Sequence, residues 1–174
     1  MDNLLQEINW ILNLNSSINY DISIKLAEID NEDFGSIAKL CEVAGIVQRK
    51  NFSNNIELCS IMNIKSGKCS ENCKFCAQSS HYYTGIQNYD LLNYSEILQL
   101  AQENKMFGIN KFGLVASGKA LSDKDVDSVC DIANKLIQDT GMKICASLGC
   151  LSQDALQKLK SAGITMYHHN IETC

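Results

Sequence analysis

The chain has 174 residues, 45% of them hydrophobic, with 15 Lys and Arg against 20 Asp and Glu for a net charge of −5. That is enough length and apolar content for a folded core, and the acidic balance argues against a nucleic-acid surface. No apolar run approaches the ~18 residues a membrane span needs, and MDNLLQEINW carries acid where a signal peptide carries base, so a cytoplasmic location is expected.

The elements follow in chain order. The first stretch, to about Lys50, reads as helical, with Ile37, Leu40, Cys41, Ala44 and Val47 at helix spacing. We assign 1–50 as an N-terminal helical segment and 51–174 as a second unit. In NIELCSIMNIKSG, Asn55 to Gly67, a β-rich apolar centre predicts a strand that runs into a loop. YSEILQLAQENKMFG predicts a helix, with Ser95 as N-cap and Gly108 as stop. KFGLVASG is a strand. LSDKDVDSVCDIANKLIQDTG is a helix with a capping box from Ser122 and Asp125 and an apolar face of Val126, Val129, Cys130, Ala133, Leu136 and Ile137. KICASLG is a strand, SQDALQKLKSAG a helix closed by Gly163, and ITMYHHN a strand.

Alternating strands and helices predict βαβ units with right-handed crossovers and a parallel sheet. The near-constant repeat predicts an α/β fold of the TIM-type (βα)8 barrel, here the N-terminal helices and about the first four βα units. Half a barrel exposes an edge strand and an apolar face. The sequence therefore predicts a truncated chain, unstable or dimeric and inactive by itself.

Nine cysteines require an account. In a reducing compartment they bind metal or do chemistry more often than they form disulfides. Cys41 and Cys130 lie on apolar helix faces and Cys59 within a strand, so all three read as small apolar packing residues. Cys69, Cys73 and Cys76 do not, because they lie in the polar loop SGKCSENCKFCAQSS. A four-ligand zinc site would need His81 or a distant cysteine to complete it. Three thiolates fit a [4Fe–4S] cluster with one iron left open, and a loop after the first barrel strand lies on the face where barrels place chemistry.

The C-x3-C-x-Φ-C pattern, with Phe75 as the aromatic, resembles the signature of radical S-adenosylmethionine (SAM) enzymes. The resemblance implies that SAM fills the open iron position and is cleaved to methionine and a 5′-deoxyadenosyl radical, and that Cys69, Cys73 and Cys76 are the catalytic metal ligands. SIMNIKSGKCSENCKFCAQSSHYYTGI and ICASLGCLSQDALQKLKSAGITMYHHNIET further resemble the biotin synthases of that superfamily. The match runs from about Leu40 to the C-terminus.

This second resemblance implies radical sulfur insertion into dethiobiotin to give biotin. It also implies an electron donor such as flavodoxin or ferredoxin, a homodimer, and an auxiliary [2Fe–2S] or other sulfur-donor cluster. Cys145 maps onto one auxiliary ligand, and would share an inward face with Ser147 and Gly149. A second auxiliary ligand belongs in an R-F-C stretch of the next strand back, where this chain has Gly113 in NKFGLVASG. The remaining cysteine and the arginine map beyond residue 174.

Phe75 maps to an adenine contact, Asn170 to the family's asparagine, and Glu172 to a carboxylate that binds ribose hydroxyls. His168 stands where asparagine is usual, and Lys65 matches a lysine in the family. Cys150 and Cys174 read as ordinary cysteines. A sister activity of the hydrogenase-maturase or methylornithine-synthase type shares the loop without requiring the sulfur-donor ligands, and Gly113 favours it. An inactive or zinc-binding remnant is the third reading.

Overall fold

The computed structural model describes residues 17–54 and 56–170, together with 3, 6 and 8. It divides into two compact units, Met1–Ile56 and Glu57–Cys174.

The first unit contains helices α1 (Tyr20–Ala27) and α2 (Phe34–Phe52). Each starts on an acceptor side chain: Asn19 takes the Ile22 amide, and Asp33 takes the Ser36 amide. Its small core joins Ile8 and Ile22, with Leu26, Leu40 and Val43 packed against them. The packing face of α2 differs from the one periodicity predicts, because Cys41 is exposed and Ala44 is exposed with it. Cys41 therefore is not the apolar packing residue expected. Among the described residues, the helix turns Leu40 and Val43, not Cys41 and Ala44, toward Ile22 and its neighbours.

The second unit alternates strands and helices: β1 (Cys59–Lys65), α3 (Tyr94–Met106), β2 (Lys111–Ala116), α4 (Asp123–Thr140), β3 (Lys143–Ser147), α5 (Gln153–Ser161) and β4 (Met166–Tyr167). All pairings are parallel and the spatial order is β1-β2-β3-β4. A doubly wound sheet reverses its order at a switch point. This sheet never reverses, so it has the progression of a barrel wall.

Strand alternation explains the two faces. Ile64, Phe112, Leu114, Ile144 and Ala146 lie on one face and are fully or almost fully buried in the main core. Helices α3, α4 and α5 cover that face through Ile97, Val129, Leu136 and Leu159. The other face carries Cys59, Ile61, Gly113, Cys145 and Met166, as the register places them. Ile61 there is 71% exposed. That contrast is the wall of a barrel whose interior is open.

Two capping details differ from expectation. Helix α3 starts at Asn93, not Ser95. The Asn93 side chain accepts the Glu96 amide while Glu96 accepts the Asn93 amide, a complete capping box. Ser95 donates instead to Asn93 Oδ1 at 2.6 Å. Asn93→Ala should lower stability by about 1 kcal/mol, measured as a shift in the denaturant midpoint. In α4 the box is half formed: Ser122 accepts the Asp125 amide, but the Asp125 carboxylate is turned to Lys65 Nζ at 3.0 Å. Among the described residues, no helix is long and apolar enough to cross a membrane.

Candidate functional site

Because the strands are parallel, their C-terminal ends lie on one edge, and the segments that follow them meet there. The loop after β1 carries Cys69, Cys73 and Cys76, all reduced and all half-exposed. The chain reaches it through two left-handed residues, Gly67 (φ 76°) and Lys68 (φ 54°). At Gly67 a side chain has no room, since a Cβ would sit 1.5 Å from Asn88 Oδ1. Lys68 is not a glycine, so its positive φ is strain held by the surrounding bonds.

Those bonds are numerous. Gln78 folds back across the base of the loop: its Oε1 accepts from the Gly67 amide at 2.5 Å and from Ser66 Oγ at 3.3 Å. The Cys69 amide donates to the Gln78 carbonyl, and the Ser80 amide to the Cys69 carbonyl. Ser79, 5% exposed, donates its hydroxyl to the Glu71 carbonyl at 2.7 Å. Ser117, at the end of β2, donates to the Gly67 carbonyl at 2.7 Å. The Cys76 amide donates to the Cys73 carbonyl in a tight turn. The loop is polar yet closed, and its three thiols point from a braced backbone.

Sequence reasoning found the cysteines but not these braces. Q-S-S entered only as part of a resemblance; the geometry shows Gln78 and Ser79 as the closing residues. Asn88 and Ser117 gave no signal at all, because each acts across a long stretch of chain.

The other candidates are placed as follows. Phe75 is 66% exposed, beside the thiols in sequence and open to a ligand. Lys65 is held in its ion pair with Asp125. His168, His169 and Asn170 follow β4 on the same edge and are exposed. Glu172 and Cys174 lie outside the described residues. His81 does not complete a metal site: its Nε2 is 3.1 Å from the Ser70 carbonyl. Cys150 is exposed, its amide bonded to the Lys119 carbonyl at 2.7 Å.

Among the described residues no three His, Cys, Asp or Glu side chains converge as they would around one ion. A four-ligand zinc site therefore has no basis in them. An iron–sulfur cluster asks for something else, one thiolate per iron with the irons apart, and three half-exposed thiols on one braced loop suit it.

A second cluster of the β2/β3 type fits poorly. Cys145 is 5% exposed on the inner face, and burial pushes its thiol pKa up while Lys111 pulls it down. Its β2 neighbour is Gly113, where a Cβ would meet Ile61 Cγ2 at 3.0 Å and Cys145 Sγ at 3.3 Å. The position holds no thiol and has little space for one. Cys130, on α4, is half-buried against the main core and burial raises its pKa, in keeping with a packing role. Cys59 is exposed, contrary to the packing role expected of it, because its strand position turns it to the open inner face.

Residues 63–174 match the Radical SAM superfamily. A biotin synthase of Acetivibrio thermocellus is 46% identical over 157 residues, covering 90% of this chain and 48% of that protein. One from Clostridium tetani is 43% identical over 173 residues, 99% of this chain and 53% of the relative. The chain thus spans about half the length of the curated relatives it matches. Among solved structures, HydG, a maturase of the [FeFe]-hydrogenase, superposes with a TM-score of 0.75 at 18% identity, over 96% of this chain and 36% of HydG. That last likeness speaks to the fold alone.

Proposed function

Since the chain belongs to the radical SAM superfamily, we propose that it carries the SAM-cleaving part of a sulfur-inserting enzyme that converts dethiobiotin to biotin. The single observation behind the superfamily chemistry is the braced loop with three half-exposed thiols. Support for the substrate comes from the level of identity to biotin synthases.

In this reading Cys69, Cys73 and Cys76 hold three irons of a [4Fe–4S] cluster and leave the fourth for the amino and carboxylate groups of SAM. When bound, the pair supplies one-electron cleavage of the sulfonium and a 5′-deoxyadenosyl radical. The protein's part is positioning. Gln78, Ser79 and Ser117 fix the loop so that the thiols keep their spacing when the irons are loaded. The exposed ring of Phe75 offers a surface for adenine, and Asn170 and Glu172 offer polar groups for the ribose. Lys65, tied to Asp125, fixes the end of β1 where the loop departs. The inner sheet face receives dethiobiotin and shields the radical. Reduction comes from a small electron carrier such as flavodoxin or ferredoxin, and the enzyme acts as a cytoplasmic homodimer.

A sister radical SAM activity is the second reading, favoured by Gly113. Grafting residues 63–174, the part that matches the superfamily, in place of the corresponding segment of the Acetivibrio thermocellus enzyme separates the two. Biotin formed from dethiobiotin by the chimera supports the proposal. A chimera that binds iron and cleaves SAM but forms no biotin sinks the substrate assignment and leaves the superfamily chemistry standing.

A further inference from the structure

Asn63 lies on β1 in step with Cys59 and Ile61, and so shares their face of the sheet. Immediately after it the ladder slips. Asn63 stands opposite Val115, but Lys65 stands opposite Ala116, so β1 carries one residue more than β2 at this point. A bulge of this kind bends the strand and disturbs the backbone pairing around it.

The Asn63 side chain fills the bulge. One side of its amide meets the Val115 and Lys65 carbonyls, and the other meets Gln78 Nε2. A single orientation satisfies both sides. The amide nitrogen then donates to the Lys65 carbonyl at 2.8 Å and the Val115 carbonyl at 3.3 Å, while the oxygen accepts from Gln78 Nε2 at 3.1 Å. The backbone nearby is tied as well. The Tyr89 hydroxyl donates to the Asn63 carbonyl at 2.8 Å, and Ser66 and Tyr89 exchange two backbone bonds.

What Asn63 holds is the residue that closes the cysteine loop. Gln78 Oε1 accepts from the Gly67 amide and from Ser66 Oγ, and the Gln78 carbonyl accepts from the Cys69 amide. A long glutamine side chain loses rotamer freedom when it is fixed in one pose. Its oxygen is fixed by the loop, and its nitrogen needs a partner outside the loop. Asn63, anchored on two strands, is that partner. A run of hydrogen bonds thus passes from the Val115 carbonyl through Asn63 and Gln78 to the Gly67 amide, and each bond in such a run strengthens its neighbours.

We propose that Asn63 is a positioning residue for the cluster loop: acting through Gln78, it passes the fixed geometry of β1 and β2 to the segment that carries Cys69 and Cys76. The proposal deepens the reading of that loop as a cluster site and rests on it.

The test compares the full chain with Asn63→Ala, Gln78→Ala and the double variant. Exchange of the Gly67 amide hydrogen is followed by nuclear magnetic resonance before iron is added. The Leu121 amide, bonded to the Leu148 carbonyl at 3.2 Å on the same edge of the sheet, is the reference. Asn63→Ala should speed exchange at Gly67 by about 2- to 10-fold, the scale of one hydrogen bond, and leave Leu121 unchanged. On the Gln78→Ala background, Asn63→Ala should add nothing further. After loading with iron and sulfide without oxygen, Asn63→Ala and Gln78→Ala should alter the electron paramagnetic resonance of the reduced cluster in the same way. Asn63→Ser keeps a hydroxyl for the bulge but is an atom shorter toward Gln78, so it should reproduce the local effect even where alanine loosens the whole chain. Gly67 exchange untouched in both Asn63 variants, effects of Asn63→Ala and Gln78→Ala that sum in full, or equal acceleration at Leu121 in both Asn63 variants overturns the assignment. An unaltered chain that takes up no iron sinks the cluster reading instead. The exchange comparison needs no iron, so the two fail separately.

Discussion

Substituting any one of Cys69, Cys73 or Cys76 with alanine is expected to abolish SAM cleavage. Each thiolate serves one iron, so removing one opens a second iron to solvent and the cluster loses both its redox character and its SAM-binding corner. The loop offers no substitute donor. His81 is turned to the Ser70 carbonyl, and Glu71 has its carbonyl held by Ser79 and its carboxylate only 3.9 Å from Lys119, in an exposed pair. In the reconstituted protein or the chimera, 5′-deoxyadenosine release should fall to background, and the visible spectrum should no longer respond to SAM. Serine variants should behave like alanine, because a hydroxyl stays protonated where a thiol ionises. Thermal stability should hardly move, since half-exposed thiols bury little. A variant that keeps SAM cleavage would remove that cysteine from the ligand set.

The second large effect is expected at Gly67. A Cβ there would lie 1.5 Å from Asn88 Oδ1 and 2.6 Å from its Cγ, on a backbone with φ 76°. Two penalties combine: strain of a non-glycine in the left-handed region and overpacking against Asn88. Together they should lower stability by about 2–4 kcal/mol and reduce iron loading, because Gly67 also donates its amide to Gln78 and its carbonyl accepts from Ser117. Combining Gly67→Ala with Asn88→Ala separates the two. Removing Oδ1 and Cγ leaves Asn88 Cβ at 3.3 Å, so the double variant should regain the overpacking part and retain the strain. Denaturant unfolding of the four proteins in the cycle measures this. Additive losses would mean that Asn88 moves aside and the clash never forms.

Much of the second unit was legible because its signals are local. Periodicity in α4 and α5 and glycines such as Gly141, left-handed at φ 67°, mark elements without reference to distant residues. The sequential sheet order follows from short βα repeats. The cysteine spacing was legible for the same reason: its chemistry is written within eight residues.

What escaped depends on contacts across the fold. Asp125 looked like half of a capping box, yet Lys65, 60 positions away, takes its carboxylate. Ser95 looked like a cap, but Asn93 has Glu96 at the right offset to reciprocate. Cys59 looked like an ordinary strand residue, because alternation tells which residues share a face and not which face is covered. Only the packing of α3, α4 and α5 on one side shows that Cys59 lies on the uncovered face. Gln78 reads as one polar residue among several until its side chain is seen closing the loop.

The central claim is that the loop from Cys69 to Cys76 holds a cluster with one iron reserved for SAM. Electron paramagnetic resonance of the reduced, anaerobically reconstituted protein, recorded with and without SAM, tests it most directly. A [4Fe–4S] signal is expected that shifts when SAM is added and that is absent from C69A/C73A/C76A. A cluster signal indifferent to SAM, or a colourless protein that retains zinc in place of iron, would contradict it.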